Sequence, residues 1–258
     1  MTLIRSLLFN VWFIGSLIVH MLVMVCLLPF PRVCMQNAVR SWAWAVRWGM
    51  GAIAGLKVEI RGRENLPQGP VIIASKHQSA WDTCVFYTLC ADPVYVMKKE
   101  LMRIPLWAPL VRKSEALVVD RAGGAGALKQ MVAETKRAVG LNRQVIIFPE
   151  GTRAAPGRRH PYHPGVAAMY AATDVPLVPV ALNSGLFWGR RSVRKYAGTV
   201  VLEFLPPMPR GLKRKDFMAQ LEDRIESASA ALITEARARY PHLPPAVDER
   251  GEADGSAP

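Results

Sequence analysis

The sequence predicts an α/β fold with a mixed, largely parallel central sheet flanked by helices, preceded by an N-terminal membrane-associated helical segment. Three observations lead to this prediction. Short apolar runs alternate with helical patterns, which is typical of βαβ units. Two of these runs end in clusters of polar residues, where α/β proteins usually bind ligands. A long apolar segment lies near the N-terminus, and 258 residues suit one domain with such an appendage.

The first predicted element is the segment Leu7–Phe30, which is almost wholly apolar and is interrupted by Asn10, Ser16 and His20. About 20 apolar residues suffice for a helix to cross the bilayer core. A cleaved signal peptide is the alternative. Its apolar region would be only ~7–15 residues long, and residues 28–32 offer no small-x-small cleavage site. We therefore predict a retained membrane segment.

The second element, residues 33–56, combines tryptophan with arginine: Arg40, Trp42, Trp44, Arg47 and Trp48. Both residue types favour the headgroup layer, which predicts an interfacial or re-entrant helix. A soluble core helix with its tryptophans packed inside is the alternative. Basic residues follow the first segment densely, whereas only Arg5 precedes it. This bias predicts a protein of the cell inner membrane whose main domain faces the cytoplasm.

The remaining residues divide into an α/β domain and a tail. We assign 1–55 to the membrane anchor and interfacial helices, 56–240 to the domain, and 241–258, rich in proline, glycine and acidic residues, to a disordered tail. Strands are predicted at 56–61, 71–75, 94–97, 116–119, 144–148, 175–182 and 200–204. Helices are predicted at 79–90, 125–139, 166–172 and 216–240, with a helical or irregular stretch at 101–111.

Charge and cysteines narrow the classes of partner. The chain has 33 basic and 20 acidic residues, a net charge of +13, which favours an anionic partner such as nucleic acid, a phosphorylated metabolite or an anionic lipid surface. The four cysteines, Cys26, Cys34, Cys84 and Cys90, form no CxxC pair, and no histidines lie at zinc-ligand spacing. We therefore predict a reducing compartment, no disulfide framework and no metal site.

The first polar motif spans residues 77–82, directly after the strand 71–75. His77 and Asp82 are five positions apart and would not share a face of one continuous helix, so they converge only if His77 lies in the turn before it. Ser79 with Asp82 resembles a capping box, which predicts Ser79 as the N-cap.

An ionised Asp82 would fix the tautomer of His77 and stabilise its imidazolium form. Because no serine or cysteine is obviously placed as a covalent nucleophile, His77 is a candidate general base for a substrate hydroxyl. The structural alternative is that Asp82 merely caps the helix and His77 is a polar loop residue.

The second polar motif spans residues 148–153 and follows another buried strand. Glu150 supplies an acid, Gly151 permits a close backbone approach, and the guanidinium of Arg153 suits a phosphate. Lys98, Lys99 and Arg121 also lie just past predicted strands and could line the same edge of the sheet. By contrast, we expect four arginines to be ordinary solvated charges: Arg158, Arg159, Arg190 and Arg191.

These motifs, in this order, resemble those of the glycerolipid acyltransferases, most closely the bacterial 1-acyl-sn-glycerol-3-phosphate acyltransferase family. The resemblance rests on His77-x4-Asp82, the region 98–101, the stretch 148–153 and the apolar run 175–180, and it spans about 56–204. A lone His-x4-Asp is weak evidence, whereas its combination with the Phe-Pro-Glu-Gly-Thr-Arg sequence of 148–153 is strong. The resemblance implies a glycerol-3-phosphate acyltransferase-like fold.

The resemblance also implies a reaction. An acyl group would pass from acyl-CoA or acyl carrier protein, as co-substrate and with no further cofactor, to the sn-2 hydroxyl of lysophosphatidic acid, giving phosphatidic acid. His77 would be the base and Asp82 its partner. The implied substrate-binding residues are Lys98, Arg121 and Arg153 for the phosphate and Glu150 and Gly151 for the glycerol site, together with Thr152.

One departure concerns the acceptor side. The family motif Gly-x-x-Phe-Ile-x-Arg corresponds to residues 115–121, where Glu115 replaces the glycine, Val118 replaces the aromatic residue and Arg121 is kept. Another lysolipid, such as a lyso-ornithine lipid or a different lysophospholipid, is therefore an alternative acceptor.

Two other classes of function compete. A lipid or thioester hydrolase would use His77 to activate water instead of an alcohol. A non-catalytic protein would use the charge alone to bind a membrane or nucleic acid. No nucleic-acid-binding module is recognisable, so we predict membrane lipid, the membrane surface and the acyl donor as partners, and no nucleic acid.

Overall fold

The structure is a computed structural model that describes residues 3–120 and 123–244. Its strands are β1 (Leu56–Arg61), β2 (Val71–Ser75), β3 (Pro93–Lys98), β4 (Leu117–Val119), β5 (Gln144–Ile147), β6 (Leu177–Leu182) and β7 (Gly198–Phe204). In the described residues they form one seven-stranded sheet in the order β1-β7-β6-β2-β5-β3-β4. Among these strands β6 and β7 pair antiparallel, and all other neighbours are parallel. The predicted mixed, largely parallel sheet is confirmed.

The helices are α1 (Leu3–Cys26), α2 (Arg32–Ala52), α3 (Asp82–Leu89), α4 (Trp107–Ser114), α5 (Gly124–Gly140), α6 (Gly165–Ala172), α7 (Ser184–Phe187) and α8 (Arg214–Arg239). Short 3₁₀ helices occupy Arg63–Asn65 and Lys99–Arg103. Most elements agree with the predicted ones to within two or three residues. α7 was not predicted, because four residues are too few to show a helical period.

Helices cover both faces of the sheet, which explains why its central strands are continuous apolar runs. In β2, β5 and β6 every residue is buried. Successive side chains of β2 point to opposite faces. Ile73 joins a cluster with Val46 of α2 and Phe86 of α3. Ile72 joins one with Val166 of α6 and Phe217 of α8. The sheet therefore has a hydrophobic core on each face, and the loops that follow the strands lie at its carboxyl edge.

The helix α1 packs along its length against the rest of the protein. Near its N-terminal end, Asn10 Nδ2 donates to Val193 O at 2.9 Å and Lys195 Nζ donates to Asn10 Oδ1 at 2.9 Å. Near its C-terminal end, Met24 lies in a cluster with Met35 of α2 and Leu110 of α4. Both ends of α1 thus contact the same body of protein.

The opposite face of α1 is apolar and exposed. It carries Leu3, Ile4, Leu7, Leu8, Val11, Ile14, Ile18, Val19, Leu22 and Val23. Among the described residues, α1 is the helix long and apolar enough to span a membrane, and only 11% of its most apolar window is buried. A core helix would bury most of that window, so this face lacks a protein partner within the described chain. On α2, Trp44 and Trp48 are also about half exposed rather than packed inside.

The chain after α8 continues the contacts of the domain for a few residues. Leu243 is buried, and His242 Nε2 lies 2.9 Å from Ala197 O. The rest of the predicted tail, from residue 245 onward, lies outside the described residues. Arg121, predicted to bind phosphate, lies outside them too.

Candidate active site

The carboxyl ends of β2 and β6 lie side by side, because these two strands are parallel neighbours in register. His77 follows β2 and lies before α3, which begins at Asp82. His77 Nδ1 is 3.0 Å from Asp82 Oδ2, so the imidazole and the carboxylate of the first motif are in contact. This is the convergence that the spacing allows only when His77 precedes the helix.

The predicted N-cap at Ser79 is wrong. α3 begins at Asp82, and Trp81 occupies the cap position without a side-chain cap bond. The hydrogen bonds of the capping-box pattern nevertheless form: Ser79 Oγ accepts from Trp81 N at 3.2 Å, and the Asp82 carboxylate accepts from Ser79 N at 2.8 Å. The carboxylate also accepts from the backbone N of Gln78 at 2.7 Å. These bonds fix the turn formed by residues 77–79 around the Asp82 carboxylate and thereby fix the position of His77.

Ser184 is a further member of this site that the sequence analysis missed. Its Oγ donates to Asp82 Oδ1 at 2.7 Å, so both carboxylate oxygens are hydrogen-bonded. Asp82 is 0% exposed, and a buried carboxylate needs such partners because its desolvation is costly. Ser184 lies two residues after β6. The rule that singled out strand ends elsewhere could have found it.

The imidazole ring of His77 is fixed by packing as well. It stacks on the ring of Phe148 with centroids 4.0 Å apart and an angle of 19° between planes. Phe148 follows β5, the other neighbour of β2. With Nδ1 facing Asp82, His77 presents its Nε2 edge as the nitrogen that can accept a proton. Its side chain is 11% exposed, which leaves a limited opening to ligand.

The second motif begins an irregular segment, residues 149–163, that we call the acceptor loop. Gly151 has φ +63°, a conformation that glycine adopts without strain, and its N–H donates to Phe148 O at 2.8 Å. This turn directs Thr152 and Arg153 toward the cavity beside His77. Ala154 N donates to His77 O at 2.8 Å, which joins the two motifs through the backbone.

Arg190, predicted to be a solvated charge, is exposed, but the prediction missed that it borders the cavity. It lines the same cavity as Arg153, and its Nη1 lies 3.5 Å from Arg153 O. Partial burial lowers the pKa of Arg153, and the nearby charges of Arg190 and then Arg191 lower it further, against the opposing effect of Asp82. A partly buried guanidinium with a second one of like charge close by favours an anion between the two groups.

The two lysines at the end of β3, Lys98 and Lys99, have different surroundings. Lys98 lines the cavity. Lys99 is exposed and its Nζ donates to Asp120 Oδ2 at 2.9 Å, so it is engaged at the surface instead. The cations that the described structure places at this cavity are therefore Lys98, Arg153 and Arg190.

Glu150 belongs to the acceptor loop, but its buried side chain does not line the cavity. Its Oε1 is 3.0 Å from Lys76 Nζ, and its Oε2 accepts a hydrogen bond from His160 N at 3.1 Å. Burial raises the pKa of Glu150 to about 7, opposed by Lys76 and reinforced by the charge of Glu226. In the second motif, Gly151, Thr152 and Arg153 thus line the cavity, whereas Glu150 contacts Lys76 and the backbone of His160.

The cavity has a volume of about 770 Å³ and a mostly apolar wall. Its lining includes His77 and the cations, and also Leu17 and Met24 of α1 and Met35 and Trp42 of α2. A mostly apolar volume of this size with a few polar groups suits a long hydrocarbon chain that carries a polar head.

Comparison with known proteins agrees with this arrangement. Residues 57–183 match the family model described as Acyltransferase. Among relatives, the 1-acyl-sn-glycerol-3-phosphate acyltransferase of Pseudomonas aeruginosa is 31% identical over 224 residues, which are 86% of this chain and 87% of that protein. The enzyme of the same name from Limnanthes alba is 30% identical over 72% of this chain and 66% of its own. The chain belongs to the acyltransferase family.

A solved structure has the same fold. The crystal structure of the 1-acyl-sn-glycerophosphate (LPA) acyltransferase PlsC from Thermotoga maritima superposes with a TM-score of 0.72 at 20% sequence identity. The superposition covers 90% of this chain and 99% of that one. The fold of this chain is therefore that of a known acyltransferase structure.

Proposed function

We propose that this acyltransferase moves a fatty acyl group from acyl-CoA or acyl carrier protein to the sn-2 hydroxyl of lysophosphatidic acid, giving phosphatidic acid. The observation that carries the proposal is the joint placement of the His77–Asp82 pair and of Arg153 and Arg190 at one lipid-sized cavity. The names of the relatives support the same acceptor.

His77 is the general base of the proposed reaction. Asp82 holds Nδ1–H, so Nε2 takes the proton of the acceptor hydroxyl as its oxygen attacks the thioester carbonyl. A new C–O bond forms, the C–S bond breaks, and the thiolate leaves with the proton that His77 returns. Because a thioester is already activated, the reaction needs a base and positioning rather than a further cofactor.

The phosphate of the acceptor belongs, in this proposal, between Arg153, Arg190 and Lys98. Guanidinium groups bind phosphate through two parallel hydrogen bonds, and an anion there relieves the repulsion between the two arginines. Gly151 and Thr152 would contact the glycerol, since both line the cavity beside His77. Arg121, for which the family resemblance implies a similar role, is outside the described residues.

Membrane attachment completes the proposal. The exposed apolar face of α1 would enter the bilayer surface, with Trp44 and Trp48 of α2 at the headgroup level. The cavity wall formed by α1 and α2 would then open beside the lipid from which the acceptor comes. We propose the cell inner membrane, with the α/β domain on the cytoplasmic side where the acyl donors are found.

An acceptor and donor panel tests the proposal. The purified full chain in nanodiscs is offered labelled acyl-CoA or acyl carrier protein with lysophosphatidic acid, lysophosphatidylcholine or a lyso-ornithine lipid. We expect acylation of lysophosphatidic acid, and a loss of ~10²–10⁴-fold in kcat for His77→Ala with unchanged folding. If only acceptors without phosphate are acylated, the assignment of lysophosphatidic acid as the acceptor is wrong. Free fatty acid as the sole product would favour a hydrolase.

A further inference from the structure

A cluster of buried charges connects the acceptor loop to the C-terminal helix. Lys76 directly precedes His77, and its side chain is 1% exposed. Its Nζ lies 2.7 and 2.9 Å from the two carboxylate oxygens of Glu226 on α8, 3.0 Å from Glu150 Oε1 and 3.0 Å from Arg158 O. One ammonium group therefore touches the strand end, the acceptor loop and α8.

The same carboxylate on α8 holds the far end of the loop. Tyr162 OH donates to Glu226 Oε1 at 2.9 Å, and Arg159 Nε lies 3.9 Å from Glu226 Oε2. Together Lys76 and Glu226 contact the loop near its start, at its middle and near its end. Glu226 is 5% exposed, so this contact is an interior one.

The loop depends on these contacts for its shape. Residues 148–164, all of them described, contain no helix or strand. Within this irregular segment Arg153 is held beside Arg190, a neighbour of like charge. A buried ion pair adds little net stability because desolvation offsets the attraction. What it supplies is a defined arrangement, since each buried charge must keep its partners.

We propose that Glu226 and Lys76 are positioning residues that hold the acceptor loop so that Arg153 meets the acceptor's phosphate. This inference rests on the proposed function for the identity of the ligand and adds the device that orders its site. The anchoring helix α8 lies outside the stretch 57–183 that matches the family model. Neither residue touches the cavity, so each acts through the loop.

The first test is kinetic and uses the full-length protein. Glu226→Gln keeps the shape of the side chain and removes its charge. We expect the KM for lysophosphatidic acid to rise about tenfold or more, the range for losing a hydrogen bond to a charged group, with kcat at saturating acceptor and the KM for acyl-CoA changed less than about twofold. Tyr162→Phe removes one neutral donor, so we expect a smaller rise of the same kind.

Glu235→Gln is the matched control. It removes a carboxylate from the same helix, but Glu235 pairs with Arg61 at the surface, far from the loop. We expect wild-type KM values for this variant. An equal rise in acceptor KM in both variants, or a fall in kcat alone in Glu226→Gln, would overturn the positioning role.

The second test is the pH dependence of acceptor KM. The charged and titratable groups around Glu150 are Lys76 from the end of β2, Glu226 from α8, and Arg158, Arg159, His160 and Tyr162 from the loop. Protonation of Glu150 weakens its bond to Lys76, so acceptor KM should rise below about pH 7. Glu226→Gln should move this rise to lower pH, and Lys76→Met to higher pH. Shifts in the same direction would contradict the cluster's role.

Trypsin cleavage after Arg158 and Arg159 measures how well the acceptor loop is ordered, and this readout does not depend on acyltransferase activity. We expect Glu226→Gln to speed cleavage at these two bonds several-fold, detected by mass spectrometry, while Glu235→Gln cleaves like wild type. Unchanged cleavage would overturn the inference even if the enzyme acylates lysophosphatidic acid. Faster cleavage in an enzyme that never uses lysophosphatidic acid would refute the proposed acceptor and leave the ordering of the loop supported.

Discussion

At the scale of single residues, Asp82 determines how the site is built. It lies inside the first turn of α3 yet accepts hydrogen bonds from residues that precede the helix and from Ser184 beyond β6. Its four hydrogen-bond partners follow two different strands: His77, Gln78 and Ser79 follow β2, and Ser184 follows β6. The orientation of His77 is therefore a property of the sheet, because the sheet brings those two ends together.

Ser184 offers a test of this arrangement. Ser184→Ala leaves Asp82 Oδ1 without its donor, and a hydrogen bond to a charged group contributes about 1.5–3 kcal/mol. Because His77 then loses part of its orientation, we expect kcat to fall roughly tenfold with both KM values little changed. Steady-state kinetics with each substrate at saturation measure this. Retention of full kcat would show that Asp82 orients His77 without help from Ser184.

Glu115 shows what the departure from the family motif means physically. Its φ is +56°, in the left-handed region that favours glycine, where the family motif usually has glycine. In this chain the carboxylate of Glu115 accepts from Arg137 and Arg143, both at 2.8 Å. The ion pairs offset the backbone strain, so the turn after α4 persists without glycine.

The pH dependence of stability tests the Glu115 network. Hydrogen bonding by Arg143 lowers the pKa of Glu115 to about 2. A depressed carboxyl pKa contributes stability that is present above the unfolded value near 4.5 and is lost as the pH falls toward 2. Glu115→Gln should therefore unfold more easily in urea at pH 7, by roughly 1 kcal/mol because the pairs are partly exposed.

The same comparison should show the difference shrinking below pH 4.5. A difference that stays constant from pH 7 to pH 3 would mean that the charge of Glu115 is not what stabilises the turn.

At the scale of elements, the strands were the easiest part to predict. β2, β5 and β6 are fully buried, so their sequences are continuous apolar runs with clear ends. The start of α3 was harder: the capping-box pattern predicts the bond from Ser79 N to Asp82, but it does not show that the α-helix begins only at Asp82 or that Gln78 N also donates to this carboxylate. Ser184 could have been noticed as a polar residue after a strand, but its placement beside Asp82, like that of Arg190 beside Arg153, depends on which strands are neighbours, and that order is absent from a single sequence.

The exposed apolar face of α1 is expected to bind lipid. Val11 and Val19 are 71% and 57% exposed on a helix with no described partner on that side. Replacing both by lysine should weaken flotation of the protein with phosphatidylcholine vesicles at least several-fold, because charge on that face opposes burial in lipid. Ala230→Lys, at an exposed position of α8, is the control. Equal loss in both proteins would mean that general charge, and not this face, determines binding.

At the scale of the whole molecule, the net charge of +13 bears on the acyl donor. The proposed donors, acyl-CoA and acyl carrier protein, are both anionic, so long-range attraction should assist their encounter with the protein. Salt shortens the range of such attraction to about 10 Å at 0.1 M and about 3 Å at 1 M.

We therefore expect donor KM to rise several-fold between 50 and 500 mM NaCl, with kcat nearly constant. Measurements with vesicle composition held fixed separate this effect from lipid binding. A donor KM independent of salt would assign the excess charge to another role.

The attachment of α1 at both of its ends has a kinetic consequence. Lys195 fixes one end and the Met24 cluster fixes the other, so the helix cannot swing away from the domain. With the proposed membrane contact, the catalytic groups stay at a constant height over the bilayer, and acceptor molecules arrive by lateral diffusion within one leaflet. Turnover should then follow the mole fraction of acceptor in the surface, so diluting it with inert lipid slows the reaction at constant bulk concentration.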